Sequence, residues 1–138
     1  MDRLVVDASV AIAWVHPGQA TSDSTALLVL VERGTLLVVP ALWPVEVANA
    51  LLVLERRGKL TAEERGSALE ALLALTCVID HEMASLAWTR LSELATEMKL
   101  SAYDAAYLEL ALRLKLPLAC RDGPLREAAK KRGVALVP

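Results

Sequence analysis

Four acidic residues lie where short apolar segments end and helical patterns begin: Asp7, Glu46, Asp104 and Asp122. Asp7 directly follows the apolar run 4–6, and Asp122 follows a later apolar run by two residues. In an open parallel sheet, the carboxyl ends of the strands and the starts of the adjoining helices share one edge, where ligands bind. We therefore expect the four carboxylates to converge on one crevice.

Each of these acids also has a local explanation, because acidic side chains in a first helical turn face the positive end of the helix dipole. Asp7 fits a helix N-cap, Glu46 a first-turn acid, and Asp104 the second half of a capping box. Asp122 fits the opening of an Asp-Gly-Pro turn. Taken together, however, four carboxylates repel one another unless cations neutralise them. Hard oxygen ligands of this kind suit Mg²⁺ or Mn²⁺, so the set predicts a divalent-metal site.

Three uncharged polar residues accompany the acids: Ser9, Asn49 and Ser101. Asn49 follows Glu46 by three residues and Ser101 precedes Asp104 by three, so each pair shares one helical face. Such groups can hold a metal-bound water or a phosphate oxygen. Equally, Ser9 suits an early-helix hydrogen bond and Asn49 a cap at a local kink, so both interpretations stay open.

The elements that must position these residues alternate between strands and helices. Apolar runs without alternation, as in strands covered on both faces, occur at residues 4–6, 36–39, 116–120 and 134–137, with a weaker candidate at 77–79. Helical patterns occur at residues 26–33, 45–57, from 61 onward, 83–98, 101–114 and from 124 to about 133. Pro44 and Gly58 bracket the second of these helices, and Thr61 with Glu64 forms a capping box that begins the third. This order predicts an α/β three-layer sandwich with a central parallel sheet of four to five strands.

Composition limits the classes of protein that remain. The chain has 138 residues, of which 55% are apolar, and a formal net charge of −2. One domain spanning residues 1–138 is expected, and both a disordered chain and a uniformly basic nucleic-acid platform are excluded. Residues 113–132 nevertheless carry seven basic side chains against two acidic ones. We predict RNA contacts from four of these basic residues: Arg121, Arg126, Lys130 and Lys131. A solvated helix face is the alternative explanation for their charge.

The cellular setting is expected to be the cytoplasm, without a membrane span. Only three apolar residues stand between Arg3 and Asp7, which is far short of a signal-peptide core, and no apolar stretch reaches the length of a bilayer span. Cys77 and Cys120 stand in apolar runs without metal-ligand spacing, so we interpret them as small buried thiols.

Four sequence blocks resemble one family: VVDASV at 5–10, PVEVANAL at 44–51, SAYDAAYL at 101–108 and LACRDGPL at 118–125. Their order and spacing resemble the PIN domain, in particular the VapC-like ribonuclease toxins of prokaryotic toxin–antitoxin pairs. The resemblance implies a divalent-metal-dependent endoribonuclease with an acidic site at Asp7, Glu46, Asp104 and Asp122. It also implies inhibition by a cognate antitoxin and a homodimer. Cys120 departs from the family pattern, which often has Thr or Ser at that position.

Two other classes place acids in similar positions. Phosphoacceptor domains of the receiver or haloacid-dehalogenase type put Asp at strand ends, but Asp7 has no acidic neighbour, and Ser9 stands where the dehalogenase pattern has a second Asp. A catalytically silent PIN-like interaction module, whose acidic pocket receives a basic segment of a partner, remains open. Residues 45–54 and 68–75 carry more Leu and Val than one buried face requires, which predicts a surface covered by a second copy or an antitoxin.

Overall fold

A central sheet of four parallel strands organises the protein. A computed structural model describes all 138 residues. The strands are β1 (Arg3–Val6), β2 (Leu36–Pro40), β3 (Cys77–Asp80) and β4 (Leu118–Ala119), in the spatial order β3-β2-β1-β4. Every neighbouring pair is parallel, with Val5 opposite both Val38 and Leu118. The predicted central parallel sheet is therefore confirmed.

Helices connect and cover the strands. They are α1 (Ala8–Val15), α2 (Ser22–Glu32), α3 (Leu42–Arg56), α4 (Ala62–Leu73), α5 (Met83–Leu86), α6 (Ser92–Met98), α7 (Ala102–Leu114) and α8 (Gly123–Lys131). The capping box predicted from the sequence is present at the start of α4, where the Thr61 side chain accepts from the Glu64 N–H and Glu64 accepts from the Thr61 N–H. No helix combines the length and the apolar character that a membrane span requires.

The hydrophobic core lies on both faces of the sheet. On one face, Leu4, Val6 and Leu37 pack with residues of α2 and with Val10 of α1. The opposite-facing Val5 and Val38 belong to a larger cluster with residues of α3, α7 and α8. Because successive strand side chains point to opposite faces, both sides of these strands must be apolar, which explains their unbroken hydrophobic runs. The resulting arrangement is the predicted three-layer sandwich.

Strand boundaries differ from the sequence prediction at both ends of the sheet. Residues 134–137 do not form a strand; only Leu136 makes an isolated bridge, to Leu118. The reason is that β4 offers just two residues for pairing, and Pro117 before it has no N–H to donate. The weaker candidate at 77–79 is instead a full strand, because β2 supplies a partner along its whole length.

The helices also differ from the prediction: no range was predicted for α1, α2 begins at Ser22 instead of residue 26, and two others change in form. α3 begins at Leu42, so Pro44 lies inside its first turn, where a missing N–H costs no helical hydrogen bond. The helix expected at 83–98 is interrupted by a π-helical turn at Ala87–Leu91, between α5 and α6. The earlier start of α3 moves Glu46 from the first helical turn into the second.

Candidate functional site

The four acids predicted from the sequence lie around the carboxyl ends of the central strands. Asp7 is the N-cap of α1, where its Oδ1 accepts from the Val10 N–H at 3.3 Å. Asp122 is the N-cap of α8, where its Oδ2 accepts from the Leu125 N–H at 2.9 Å. Asp104 is the third residue of α7, and Glu46 is the fifth residue of α3. Helix capping thus fixes the positions of Asp7 and Asp122, whereas Asp104 and Glu46 lie within their helices.

Asp7 is the most buried of the four acids, with 6% of its surface exposed. Burial raises the pKa of its carboxyl to about 6, and the negative charges of Asp104 and Glu46 raise this pKa further, while the Ser9 hydroxyl and the Val10 N–H oppose the rise. Ser9 donates to Asp7 Oδ1 at 2.7 Å. Both hydrogen bonds therefore use the same carboxylate oxygen, and Oδ2 has no partner within the chain.

Asp104 experiences the same electrostatic environment. Burial raises the pKa of its carboxyl, and the charges of Asp122 and Glu46 raise it as well. The Ser101 hydroxyl oxygen accepts from the Asp104 backbone N–H at 3.1 Å, and the nearby Ser101 hydroxyl opposes the rise in the pKa of the Asp104 carboxyl. None of the four acids takes part in an ion pair with a basic side chain. The four carboxylates are thus linked electrostatically through Asp104, which interacts with the other three, and none of them is paired with a basic side chain.

The donor set fits a divalent cation in its chemistry. Carboxylate oxygens are the ligands that Mg²⁺ and Mn²⁺ prefer, and mutual repulsion among these acids is what a bound cation would relieve. No three His, Cys, Asp or Glu side chains already stand in a geometry ready to hold an ion. Closure of the carboxylates around a cation therefore requires side-chain rotation.

The uncharged residues predicted to support the site occupy different positions. Ser9 contacts Asp7 directly, as described above. Ser101 acts as the N-cap of α7, so its hydroxyl oxygen already accepts from the Asp104 N–H. The exposed Asn49 lies one turn after Glu46, and its side chain makes no hydrogen bond within the chain. The structure thus places Ser9 at the carboxylates, gives Ser101 a capping role, and leaves the Asn49 amide free.

Tyr107 is a site residue that the sequence reasoning missed. Its hydroxyl donates a hydrogen bond to Glu46 Oε1, although the residue itself is 1% exposed. Burial raises the pKa of this phenol far above its ordinary range, and the Glu46 carboxylate raises it further, so the hydroxyl remains a donor. The available signal was its spacing, because Tyr107 stands three residues after Asp104, one turn further along the same face of α7.

Cys120 lies in the buried wall beside the acids. Burial raises the pKa of its thiol to about 12, and the charge of Asp7 raises it as well, while Arg126 opposes the rise. The thiol therefore stays protonated at neutral pH and does not provide a thiolate for a metal or for nucleophilic attack. This agrees with the interpretation of Cys120 as a small buried thiol.

The predicted RNA-contacting residues begin next to the acids and extend away from them. Arg121 donates to the Gln19 carbonyl, and Arg126 donates to the Cys120 carbonyl at 2.9 Å. Lys130 pairs with Glu127 at 3.6 Å in an exposed position, whereas the exposed Lys131 has no ion-pair partner. At 1.5 Å per residue, the two lysines lie about 12 Å along α8 from Asp122.

Comparison with known proteins places the chain in a family. The family model for the PIN domain matches residues 4–131. Among solved structures, PAE2754 from Pyrobaculum aerophilum is similar with a TM-score of 0.72 and 23% sequence identity, covering 99% of this chain and 84% of that chain. FitAcB from Neisseria gonorrhoeae is similar with a TM-score of 0.65 and 18% identity, covering 98% of this chain and 96% of that chain. No curated protein sequence matches the chain. Since the family model spans nearly the whole sequence and its fold is present, the chain belongs to the PIN domain family.

Proposed function

We propose that the protein is a divalent-metal-dependent endoribonuclease and the toxin of a toxin–antitoxin pair. PIN domains are commonly metal-dependent nucleases. The observation that carries the proposal is the group of four acids at the strand ends, none of which is paired with a basic side chain. Burial of a charged Asp7 beside other carboxylates costs free energy unless a cation compensates the charge.

In this proposal, Asp7 and Asp104 hold Mg²⁺ or Mn²⁺ directly, and Glu46 and Asp122 act as further ligands or through water. A bound divalent cation supplies Lewis-acid chemistry that activates water and stabilises negative charge on the phosphodiester oxygens. Ser9 fixes the rotamer of Asp7 through Oδ1 and leaves Oδ2 for the cation. The exposed Asn49 amide is available to a phosphate oxygen or to a water beside Glu46.

RNA is the proposed substrate, bound through its phosphates by Arg121, Arg126, Lys130 and Lys131. Phosphate contacts position a nucleic acid without reading its sequence, so these residues are expected to fix the path of the strand and not the cleavage site. The path begins beside Asp122 and follows α8 for about 12 Å. Among these four residues only Lys131 makes neither an ion pair nor a side-chain hydrogen bond within the protein, so its charge is the most available to a phosphate.

An apolar groove is the proposed surface for a partner chain. It lies between α3, α4 and the edge strand β3, encloses about 290 Å³, and is lined by Trp43, Pro44, Val47, Leu69, Leu72, Leu73, Leu75, Cys77 and Ile79. Leu73 is 85% exposed there. The resemblance to VapC-like toxins supports a homodimer and a cognate antitoxin as the partners in the cytoplasm, and a groove of this kind provides apolar surface for either one.

Cleavage by the purified chain tests the activity. The protein, free of any partner, is incubated with single-stranded and structured RNA in Mg²⁺, Mn²⁺ or EDTA. We expect cleavage only with the metals, and we expect Asp7→Asn and Asp104→Asn to abolish it while circular dichroism shows a folded protein. Asp2→Asn, which removes an exposed carboxylate at the opposite end of β1, is the matched control and should cleave normally.

The same experiment separates the nuclease from its alternative. Continued cleavage by both Asp7→Asn and Asp104→Asn would contradict the assignment of these acids. Absence of cleavage with every RNA and metal, together with binding of a basic peptide that both variants lose, would instead support a catalytically silent module whose acidic pocket receives a partner segment.

A further inference from the structure

The Tyr107 hydroxyl links two of the helices that carry the acids. Its ring belongs to the main hydrophobic core, but its hydroxyl donates to Glu46 Oε1, which joins α7 to α3. The charge of Asp7 also raises the pKa of this hydroxyl. A single buried hydroxyl therefore connects the helices that carry Glu46 and Asp104, close to Asp7.

The Tyr107 hydroxyl is the only hydrogen-bond partner of the Glu46 side chain in the protein, and Glu46 is only half-buried. It faces the negative charges of Asp7 and Asp104, which act to push it toward solvent. A flexible glutamate in this field would rotate away from the other acids unless a donor held it in place.

We propose that Tyr107 is a positioning residue that holds the Glu46 carboxylate among the other acids, ready for the cation. The inference rests on the proposed function, because it assigns Glu46 to the metal site. Outer groups that hydrogen-bond to a metal ligand orient it, and their removal commonly lowers metal affinity or activity 10–100-fold. The competing explanation is that Tyr107 serves only as a large core residue.

Tyr107→Phe distinguishes the hydroxyl from the ring, since phenylalanine fills the same core space. Tyr103→Phe is the matched control, because Tyr103 lies on the same helix, is 63% exposed and makes no hydrogen bond. We expect Tyr107→Phe to weaken Mn²⁺ binding, measured by calorimetry, about 10–100-fold. We expect kcat for RNA cleavage to fall with KM unchanged, since Tyr107 lies in the interior, away from the RNA. Tyr103→Phe should match the wild type in both measurements.

A double-mutant cycle with Glu46→Ala tests whether the hydroxyl acts through Glu46. If it does, adding Tyr107→Phe to Glu46→Ala produces no further loss of Mn²⁺ affinity, because the two substitutions remove the same interaction. A purely structural role for Tyr107 would instead lower affinity by the same factor in both backgrounds. That additive result would overturn the proposal.

A measurement without metal keeps this inference separable from the nuclease assignment. The carboxyl ¹³C resonance of Glu46 reports its hydrogen bond, and in metal-free protein it should shift in Tyr107→Phe but not in Tyr103→Phe. If the wild type neither binds Mn²⁺ nor cleaves RNA, the nuclease assignment fails, and a shifted resonance still supports the orienting role. An unchanged resonance in Tyr107→Phe overturns the orienting role whatever the wild type does.

Discussion

Replacing Asp7 with asparagine should make the metal-free protein more stable at neutral pH. The structure raises the pKa of Asp7 from its ordinary value of 3.8 to about 6, chiefly through burial. Each pKa unit corresponds to 1.36 kcal/mol, so ionised Asp7 reduces the free energy of unfolding by about 3 kcal/mol above pH 6. Asparagine carries no charge and does not incur this penalty.

The pH dependence follows from the direction of the shift. Below pH 3.8 the carboxyl is protonated in both the folded and the unfolded chain, so Asp7 carries no charge penalty there. Between pH 3.8 and about 6 the unfolded chain releases the proton first, and the folded state loses stability relative to it as the pH rises. The advantage of Asp7→Asn should therefore be largest at pH 7 and mostly gone at pH 4.

Asparagine also preserves the local hydrogen bonds. Its side-chain oxygen can accept from the Ser9 hydroxyl and the Val10 N–H, as Asp7 Oδ1 does, and asparagine is among the preferred N-cap residues. The greater strength of hydrogen bonds to a carboxylate is already part of the balance, because the Ser9 and Val10 bonds lower the pKa of Asp7 that burial raises to about 6. We therefore expect a net stabilisation of about 3 kcal/mol at pH 7.

Urea denaturation in EDTA at pH 7 and pH 4 measures the effect. The exposed acid Asp2 provides the control, since Asp2→Asn removes a charge without relieving burial and should change stability little at either pH. Added Mn²⁺ should stabilise the wild type more than Asp7→Asn, because ligand binding to the folded state raises stability by mass action. Equal or lower stability of Asp7→Asn at pH 7, or a difference that persists at pH 4, would refute the reasoning.

Three further substitutions probe the scaffold, the RNA path and the groove. Arg113→Ala should lower the free energy of unfolding by about 3 kcal/mol, because it leaves the buried Glu109 without its partner. Arg65→Ala, which breaks a more exposed ion pair, should lower it by less than about 1 kcal/mol. Urea denaturation measures both effects. Lys131→Ala should weaken RNA binding equally for all sequences and reduce the slope of log affinity against log salt by about 1. Leu73→Asp should yield a folded monomer in sedimentation velocity if the groove joins two copies.

These substitutions have controls elsewhere on the surface. Lys59→Ala removes an exposed lysine far along the chain from α8 and should leave the salt slope unchanged. Val29→Asp introduces the same charge as Leu73→Asp at another exposed apolar position, on α2, and should leave the sedimentation coefficient unchanged. A wild-type protein that sediments as a monomer at micromolar concentration would contradict the homodimer, and an unchanged salt slope in Lys131→Ala would contradict its phosphate contact.

The structural features that the sequence predicted best are those that depend on residues close together in the chain. The capping box at Thr61, the cap at Ser101 and the placement of Asp7 after a buried strand all follow from residues within three positions of one another. The failed strand at residues 134–137 depends on how many residues the neighbouring strand offers, which the run itself does not encode. The Tyr107–Glu46 hydrogen bond joins residues 61 positions apart, so the spacing of Tyr107 from Asp104 indicates the helix face on which it lies but not the side chain that it contacts.

The local and functional explanations of the acids are compatible because they use different atoms. Both hydrogen bonds to the Asp7 side chain end on Oδ1, and the bond that caps α8 ends on Oδ2 of Asp122, so each carboxylate keeps one oxygen without a partner in the protein. At Asp104 the cap is the Ser101 side chain, which accepts from the backbone N–H, so the Asp104 carboxylate itself caps no helix. A cap that fixes one oxygen also fixes the direction of the other, and fixed direction is what a metal ligand needs. In the proposed function, the caps therefore fix Asp7 and Asp122, and the rotation that closes the site around a cation falls to side chains that cap no helix. For the same reason, asparagine at Asp7 or Asp122 should retain the cap while removing the charge that a cation requires.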